Sequence, residues 1–344
     1  LAVLTLELEA TEGVERVGPL LKLATAHARF RGDLDRAEGF LREAWTPEME
    51  DEAPLFEAAG ALVRLGRARR AVELLRESGR KLKPPRVGPV FVRAVQTAIK
   101  KVDDPRLGLT AAMEGLEHAP GSGRLLLAVE QLALELTDVD AARRTYQRLI
   151  DRSMGPNGRR ALAYRRARWL ERAGAQKAAL EAYLQAFEEN PQAGAIYSSI
   201  ERLAREQGKV DALAHAAMTL GQRATHPAIR AEMTKQAAAL YEAELAQPAR
   251  AFEILADLWE HGGYTEVEED LLRLAGALRD GDPAAGEAAF ERLSAVLRQR
   301  ADDAFLAESR ARLIQRQARL HAVGRGGLDA AVSCVDEALA VDDA

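Results

Sequence analysis

With 344 residues, the chain is long enough for two ordinary domains or one elongated repeat array. It is 47% hydrophobic and 29% charged with a mean hydropathy of -0.23, the profile of a folded, soluble protein rather than a disordered one. A formal net charge of -5 and a pI of about 5.9 exclude a global basic field for DNA or RNA, and 5% aromatics leave most of the core to alanine and leucine.

The sequence begins at Leu1 rather than methionine, so it is expected to be a piece of a longer protein, with the cytoplasm as the expected compartment. Residues 1–17 read as a partial element. From there, amphipathic helical stretches of about 12 to 17 residues alternate with short Gly, Asp or Pro punctuation, and strand signals are nearly absent. In chain order the helical stripes carry Gly32, Ala37, Leu41 and Ala44, then Ala59, Leu62, Gly66, Ala71 and Leu75. A unit near Pro89 ends at Pro120, and one near Gly123 carries Ala142 and Tyr146. Later units carry Ile200, Ala204, Gly208 and Leu213, then Ala239, Ala251 and Leu255, then Phe290 and Leu293, and finally Ala331, Val335 and Ala338. Asp104-Pro105 and Asp282-Pro283 read as an N-cap followed by a proline in the first turn, whereas Pro120, Pro191 and Pro227 read as helix stops. First positions at 18, 52, 89, 123, 160, 194, 232, 267 and 312 give spacings of 34, 37, 34, 37, 34, 38, 35 and 45, the last implying an extended helix or loop around 296–306.

The clearest unit is 160–193, RALAYRRARWLERAGAQKAALEAYLQAFEENPQA. It resembles a tetratricopeptide repeat, a helix–turn–helix unit of about 34 residues. Ala167 and Ala179 stand where that family wants small residues, Ala163, Leu170 and Tyr183 where it wants larger apolar ones, and Ala186 and Pro191 complete the pattern. Ala163 is smaller than the pattern asks, and Arg166 occupies a usually apolar position. The resemblance implies an all-α, right-handed α-solenoid of about nine such hairpins over residues 1–344, because one hairpin of small residues buries too little apolar surface alone and neighbours must stack.

Catalytic and metal signatures are missing from the sequence. There is no GxxxxGK[ST] loop, no GxGxxG after a strand, no GxSxG elbow and no HxxxH or HExxH among the six histidines. Gly121-Ser122-Gly123 and Gly324-Arg325-Gly326-Gly327 fall at helix junctions and read as turns. Cys334, the one cysteine, excludes an internal disulfide and a cysteine-based zinc cluster, and its apolar neighbours make it a buried small hydrophobe. No stretch reaches the roughly 18 apolar residues of a membrane span. A non-catalytic protein without cofactor or metal is expected.

In the resembled family the first helices line a ligand groove. Carried onto this chain, that implies partner-binding residues Arg93, Lys100 and Lys101 in the third repeat and Arg124 in the fourth. Arg165, Arg168 and Arg172 follow in the fifth, and Arg202 and Arg205 in the sixth. Arg165, Arg168 and Arg172 also fit one helix face by their spacing, whatever the family. Residues 159–172 sum to +5 and residues 251–272 to -7, an asymmetry that would steer charged partners. The expected function is a scaffold or adaptor taking an acidic peptide or partner domain. A sensor segment of a larger kinase, protease or NTPase is the alternative. Nucleic acid is disfavoured, because aromatics do not interleave with the arginines. Self-association through uncapped terminal repeats is a further expectation.

Overall fold

The computed structural model describes residues 1–191, 194–262, 264–324 and 327–342; of the expected glycine turn near 325, Arg325 and Gly326 lie outside them. Among the described residues there are nineteen α-helices and no strand. The chain divides into two compact units, residues 1–175 and 176–344. Unit 1 runs α1 (Ala2–Glu9), α2 (Val17–Ala26), α3 (Leu34–Glu43), α4 (Ala53–Arg64), α5 (Ala68–Lys81), α6 (Val87–Thr97), α7 (Pro105–His118), α8 (Gly123–Glu135), α9 (Val139–Asp151) and α10 (Pro156–Arg172). Unit 2 runs α11 (Gln176–Glu189), α12 (Gly194–Gln207), α13 (Val210–Arg223), α14 (Pro227–Ala243), α15 (Pro248–Gly262), α16 (Glu268–Gly281), α17 (Pro283–Asp302), α18 (Ala307–Gly324) and α19 (Leu328–Asp342). Within each unit the helices pack against their sequence neighbours as successive hairpins, the arrangement that lets short alanine-rich helices bury one stripe against each neighbour.

Seven hairpin turns share one backbone device. One to three positions past the first helix a residue adopts the left-handed conformation, at Gly32, Gly66, Asp103, Thr137, Gly174, Gly208 and Ala246, whereas α16 passes into α17 through extended Asp282. These positions lie 34, 37, 34, 37, 34 and 38 residues apart, the series read from the sequence. The alternation has a structural counterpart at two of its steps: α2 and α6 each continue into one π-turn, His27–Arg31 and Ala98–Val102. There the N–H groups of Asp33 and Asp104 reach six residues back, to the carbonyls of His27 and Ala98. At the tighter turns Arg67, Asp138 and Lys209 reach back five, to Leu62, Ala133 and Ala204. In unit 1 the true period is therefore two hairpins, and Arg16-Val17-Gly18-Pro19 recurs as Arg86-Val87-Gly88-Pro89 at the start of each pair.

Capping aspartates start the second helices: Asp33, Asp104 and Asp138 accept from the N–H groups of Arg36, Leu107 and Ala141 at 3.0, 2.9 and 2.9 Å. Asp282 does the same for α17 from Ala284 and Ala285, at 3.0 and 3.3 Å. The reading of Pro227 as a stop is corrected, since it opens α14, where its missing N–H is free of cost. The wide final spacing is taken up by α17, twenty residues long.

Alanines carry the core as expected, with Ala37, Ala59, Ala71, Ala142, Ala204 and Ala251 buried. Phe91 fills the gap between Gly79 and Gly115, where an added methyl would stand 2.6 and 2.7 Å from the Phe91 side chain. Three expected packing positions need correction. Ala239 is exposed while Ala237 and Ala238 are buried, a one-residue slip of the template. Val335 faces outward beside buried Ala331 and Ala338. Arg166, the departure from the apolar pattern, is buried nonetheless and donates to Gln147 Oε1 at 2.8 Å from α9. Cys334 is half-buried against the cluster of Ala301, Ala311, Ile314 and Ala338, and burial pushes its thiol up.

Candidate partner-binding surface

Arginines dominate the surface, and their pairing separates structural ones from available ones. On the second helices they reach about one repeat along the chain. In unit 1, Arg42 meets Glu77 and Arg69 meets Asp104, both at 2.8 Å, Arg148 meets Glu117 at 2.6 Å, and Arg76 and Arg80 share Glu114. In unit 2, Arg298 on the second helix α17 meets Glu337, and Arg273 on the first helix α16 meets Glu242. Each such bridge ties a hairpin to the next. The acidic run at 251–272 is likewise an internal device: Glu253, Asp257 and Glu260 converge on Arg292 at 2.5, 2.9 and 2.6 Å. Glu266 meets Lys235, Glu268 meets Arg316 and Asp270 meets Arg273. The net -7 of that segment is therefore largely compensated by arginines and a lysine outside it. Asp257, Glu260 and His261 bring ligand atoms within 4.8 Å of one another, but both carboxylates are already bound to Arg292.

The nine residues implied as a groove divide between the units. In unit 1, α8 supplies Glu130, only 4% exposed. Arg165 from α10 holds both its carboxylate oxygens, through Nε at 2.9 Å and Nη2 at 3.1 Å. Tyr146 of α9 donates its hydroxyl to Oε1, Trp169 donates Nε1 to the Glu130 carbonyl at 3.2 Å, and Arg172 stands 4.0 Å from Oε2. Burial would raise the Glu130 carboxyl, but hydrogen bonds from Arg165 and Tyr146 and the charges of Arg165 and Arg172 hold it below the ordinary carboxylate value. Arg165 is thereby part of the framework. Arg168 is exposed, its guanidinium 5.8 Å from the centre of the Tyr164 ring. In unit 2, Arg202 pairs with Glu206 at 3.2 Å, and Arg205 with Glu201 at 3.8 Å and Glu244 at 3.2 Å.

Arg93, Lys100, Lys101 and Arg124 are exposed and form no ion pair among the described residues. Lys100 and Lys101 sit on the π-turn that ends α6. The first helices of unit 1 expose Lys22 and Arg29 from α2 and its π-turn, Glu57 and Arg64 on α4, and Arg93, Gln96 and Lys100 on α6 and its π-turn. On α8 the stripe is Arg124, Leu127, Gln131, Leu134 and the acidic Glu135, and on α10 it holds Arg168 and Arg172. α6 packs on α8, and Glu130 joins α8 to α10, so these three stripes lie side by side. Leu127 and Leu134 are 47% and 44% exposed at the centre of the surface, with cations on the flanking helices. Neither leucine is among the partner-binding residues expected from the sequence, although both stand on the same face as Arg124 at helical spacing, where an apolar residue in solvent is the signal.

Two clefts of about 570 Å³ each lie at equivalent points of the two-hairpin period, one beside Gly13, Arg16 and Glu48, the other beside Pro84, Pro89, Pro120 and Arg124. Their recurrence with unrelated lining marks them as gaps left by the repeat geometry. Among the described residues no helix is long and apolar enough to cross a membrane.

No protein-family model and no curated protein sequence matches the chain. Among solved structures, it is similar to the human IFIT1 dimer with m7Gppp-AAAA at 14% identity, covering 98% of this chain and 84% of that one with a TM-score of 0.22. It is also similar to Naa15/Naa10 bound to HypK-THB, at 16% identity over 98% of this chain and 56% of that one, TM-score 0.24. A third is a circular tandem repeat protein with novel repeat topology, at 17% identity over 95% and 70%, TM-score 0.17. Those scores are too low to transfer a topology or a ligand, and what those structures hold is said of them alone.

Proposed function

We propose that the chain is a non-catalytic interaction scaffold of tetratricopeptide-like hairpins, and that the first-helix face of unit 1 takes an acidic segment of a protein partner. The supporting observation is an asymmetry of pairing. In unit 1, second-helix arginines are mostly consumed by the neighbouring hairpin, whereas Arg93, Lys100, Lys101 and Arg124 form no ion pair among the described residues and surround exposed Leu127 and Leu134. Cations held out in water cost nothing to keep unpaired and accelerate encounter with an anionic partner. The central leucines favour a protein over a nucleic acid, for which stacking aromatics would be wanted.

The test is fluorescence anisotropy with a labelled acidic amphipathic helical peptide and, separately, labelled oligouridine. Arg93→Glu, Lys100→Glu and Arg168→Glu together should weaken the peptide at least about tenfold while circular dichroism stays unchanged. Lys81→Glu with Arg144→Glu, on second helices, should have little effect. Unchanged peptide affinity in the triple variant overturns the reading, and tighter capture of oligouridine than of peptide overturns it in favour of RNA.

A further inference from the structure

The molecule carries a second apolar stripe whose chemistry is the reverse of this face. On α19, Leu328, Val332, Val335 and Leu339 are 70%, 56%, 44% and 56% exposed, and their 4-3-4 spacing sets them in one line. Ala331 and Ala338, on one flank of that line, are buried against the helix's own hairpin. No lysine or arginine occurs between Leu328 and Asp342. Exposed Asp329 and Asp336 border the stripe, while Glu337 is engaged by Arg298 at 2.6 Å.

We propose that the Leu127–Leu134 face of one copy takes α19 of a second copy of this chain. The inference deepens the reading above, on which it rests, by naming the acidic segment. Leu127 and Leu134 are seven residues apart along α8, about 10.5 Å. Leu328 with Val335, and Val332 with Leu339, repeat that separation, so a helix laid along α8 meets leucine with an apolar side chain at both ends. Asp329 and Asp336 lie seven residues apart on one flank of that stripe, so with the helix running in the direction that turns this flank to α6 they fall toward Arg93 and Lys100. Pairing of α19 with α19 is disfavoured, because it sets Asp329 and Asp336 of two copies against each other. The contact is heterologous: each copy offers one helix and one face, so assembly continues past the dimer unless a ring closes. Three helical turns bury less than a standard interface, which places the affinity on the order of micromolar.

The test is sedimentation velocity on the full chain at low salt across a concentration series. The expected result is mass rising past the dimer with concentration and falling back as salt is added. Leu127→Glu with Leu134→Glu removes the face, and Val332→Lys with Leu339→Lys removes the helix; both pairs are solvent-facing, so the fold should survive. Each variant alone should be monomeric, and an equimolar mixture should form a 1:1 complex that grows no further. A wild-type chain that stays monomeric, or a mixture that does, overturns the inference. If such a monomeric wild type still binds the acidic peptide through Arg93, Lys100 and Arg168, the scaffold reading stands and self-recognition alone has failed.

Discussion

Arg165 grips both oxygens of Glu130 across a full repeat, with the Tyr146 hydroxyl and the Arg172 guanidinium beside the same buried carboxylate. The Glu130 carboxyl is held below its ordinary value, so the sign of its contribution is fixed. Its stabilisation is complete above the unfolded carboxylate value, about 4.3, and is lost as pH falls through the lower folded value. Glu130→Gln should therefore destabilise unit 1 by about 2 kcal/mol at neutral pH, since it leaves Arg165 and Tyr146 short of their acceptor. Arg165 is partly exposed, and solvent screening keeps the figure at the low end. In urea unfolding monitored by circular dichroism, the gap between wild type and variant should close below about pH 4. A gap that persists there would show that the carboxylate charge is not what stabilises the pair.

Thr137 carries a different kind of cost. It takes the left-handed turn position, φ 53°, that Gly66 and Gly208 fill elsewhere, and a β-branched side chain is crowded there. Thr137→Gly should raise stability by about 1 kcal/mol, the relief of strain exceeding the entropy glycine adds to the unfolded chain. Gly66→Ala should lower it by about 1 kcal/mol. Both are read as shifts of the urea midpoint at unchanged slope; two shifts of the same sign would contradict the account.

These turns also show how far the sequence carries. Glycine at 66, 174 and 208 and aspartate at 33, 104 and 138 are local signals, and each first helix starts within five residues of the position read from them. The two-hairpin period was equally present in the recurring Arg-Val-Gly-Pro, but a template of about 34 residues averages it away. Pairing is another matter. Whether an arginine binds Glu130 or waits in solvent depends on a partner some 35 residues distant, visible only once hairpins stack. That is why Arg165 and Arg168, one turn apart on the same helix, have opposite fates. The outward leucines of α8 and the stripe of α19 escaped because an apolar residue at helical spacing is read by default as core. Only the burial of their neighbours Val129, Ala133, Ala331 and Ala338 shows which way they point.

Arg292 offers the sharpest check on the internal reading of the acidic run. Its guanidinium binds Glu260, Glu253 and Asp257 at once, and those hydrogen bonds, Glu260 first, hold it protonated more firmly than an ordinary arginine. Removing it leaves three carboxylates crowded on α15 with their common counter-charge gone. Arg292→Ala should cost about 1–3 kcal/mol at neutral pH, discounted for the exposure of Glu253 and Asp257. In the variant the three carboxylates repel one another, so added salt should narrow the difference from wild type. Thermal unfolding of the two proteins at low and high salt reads this directly. A deficit independent of salt would mean that Arg292 acts through the packing of its stem rather than through its charge.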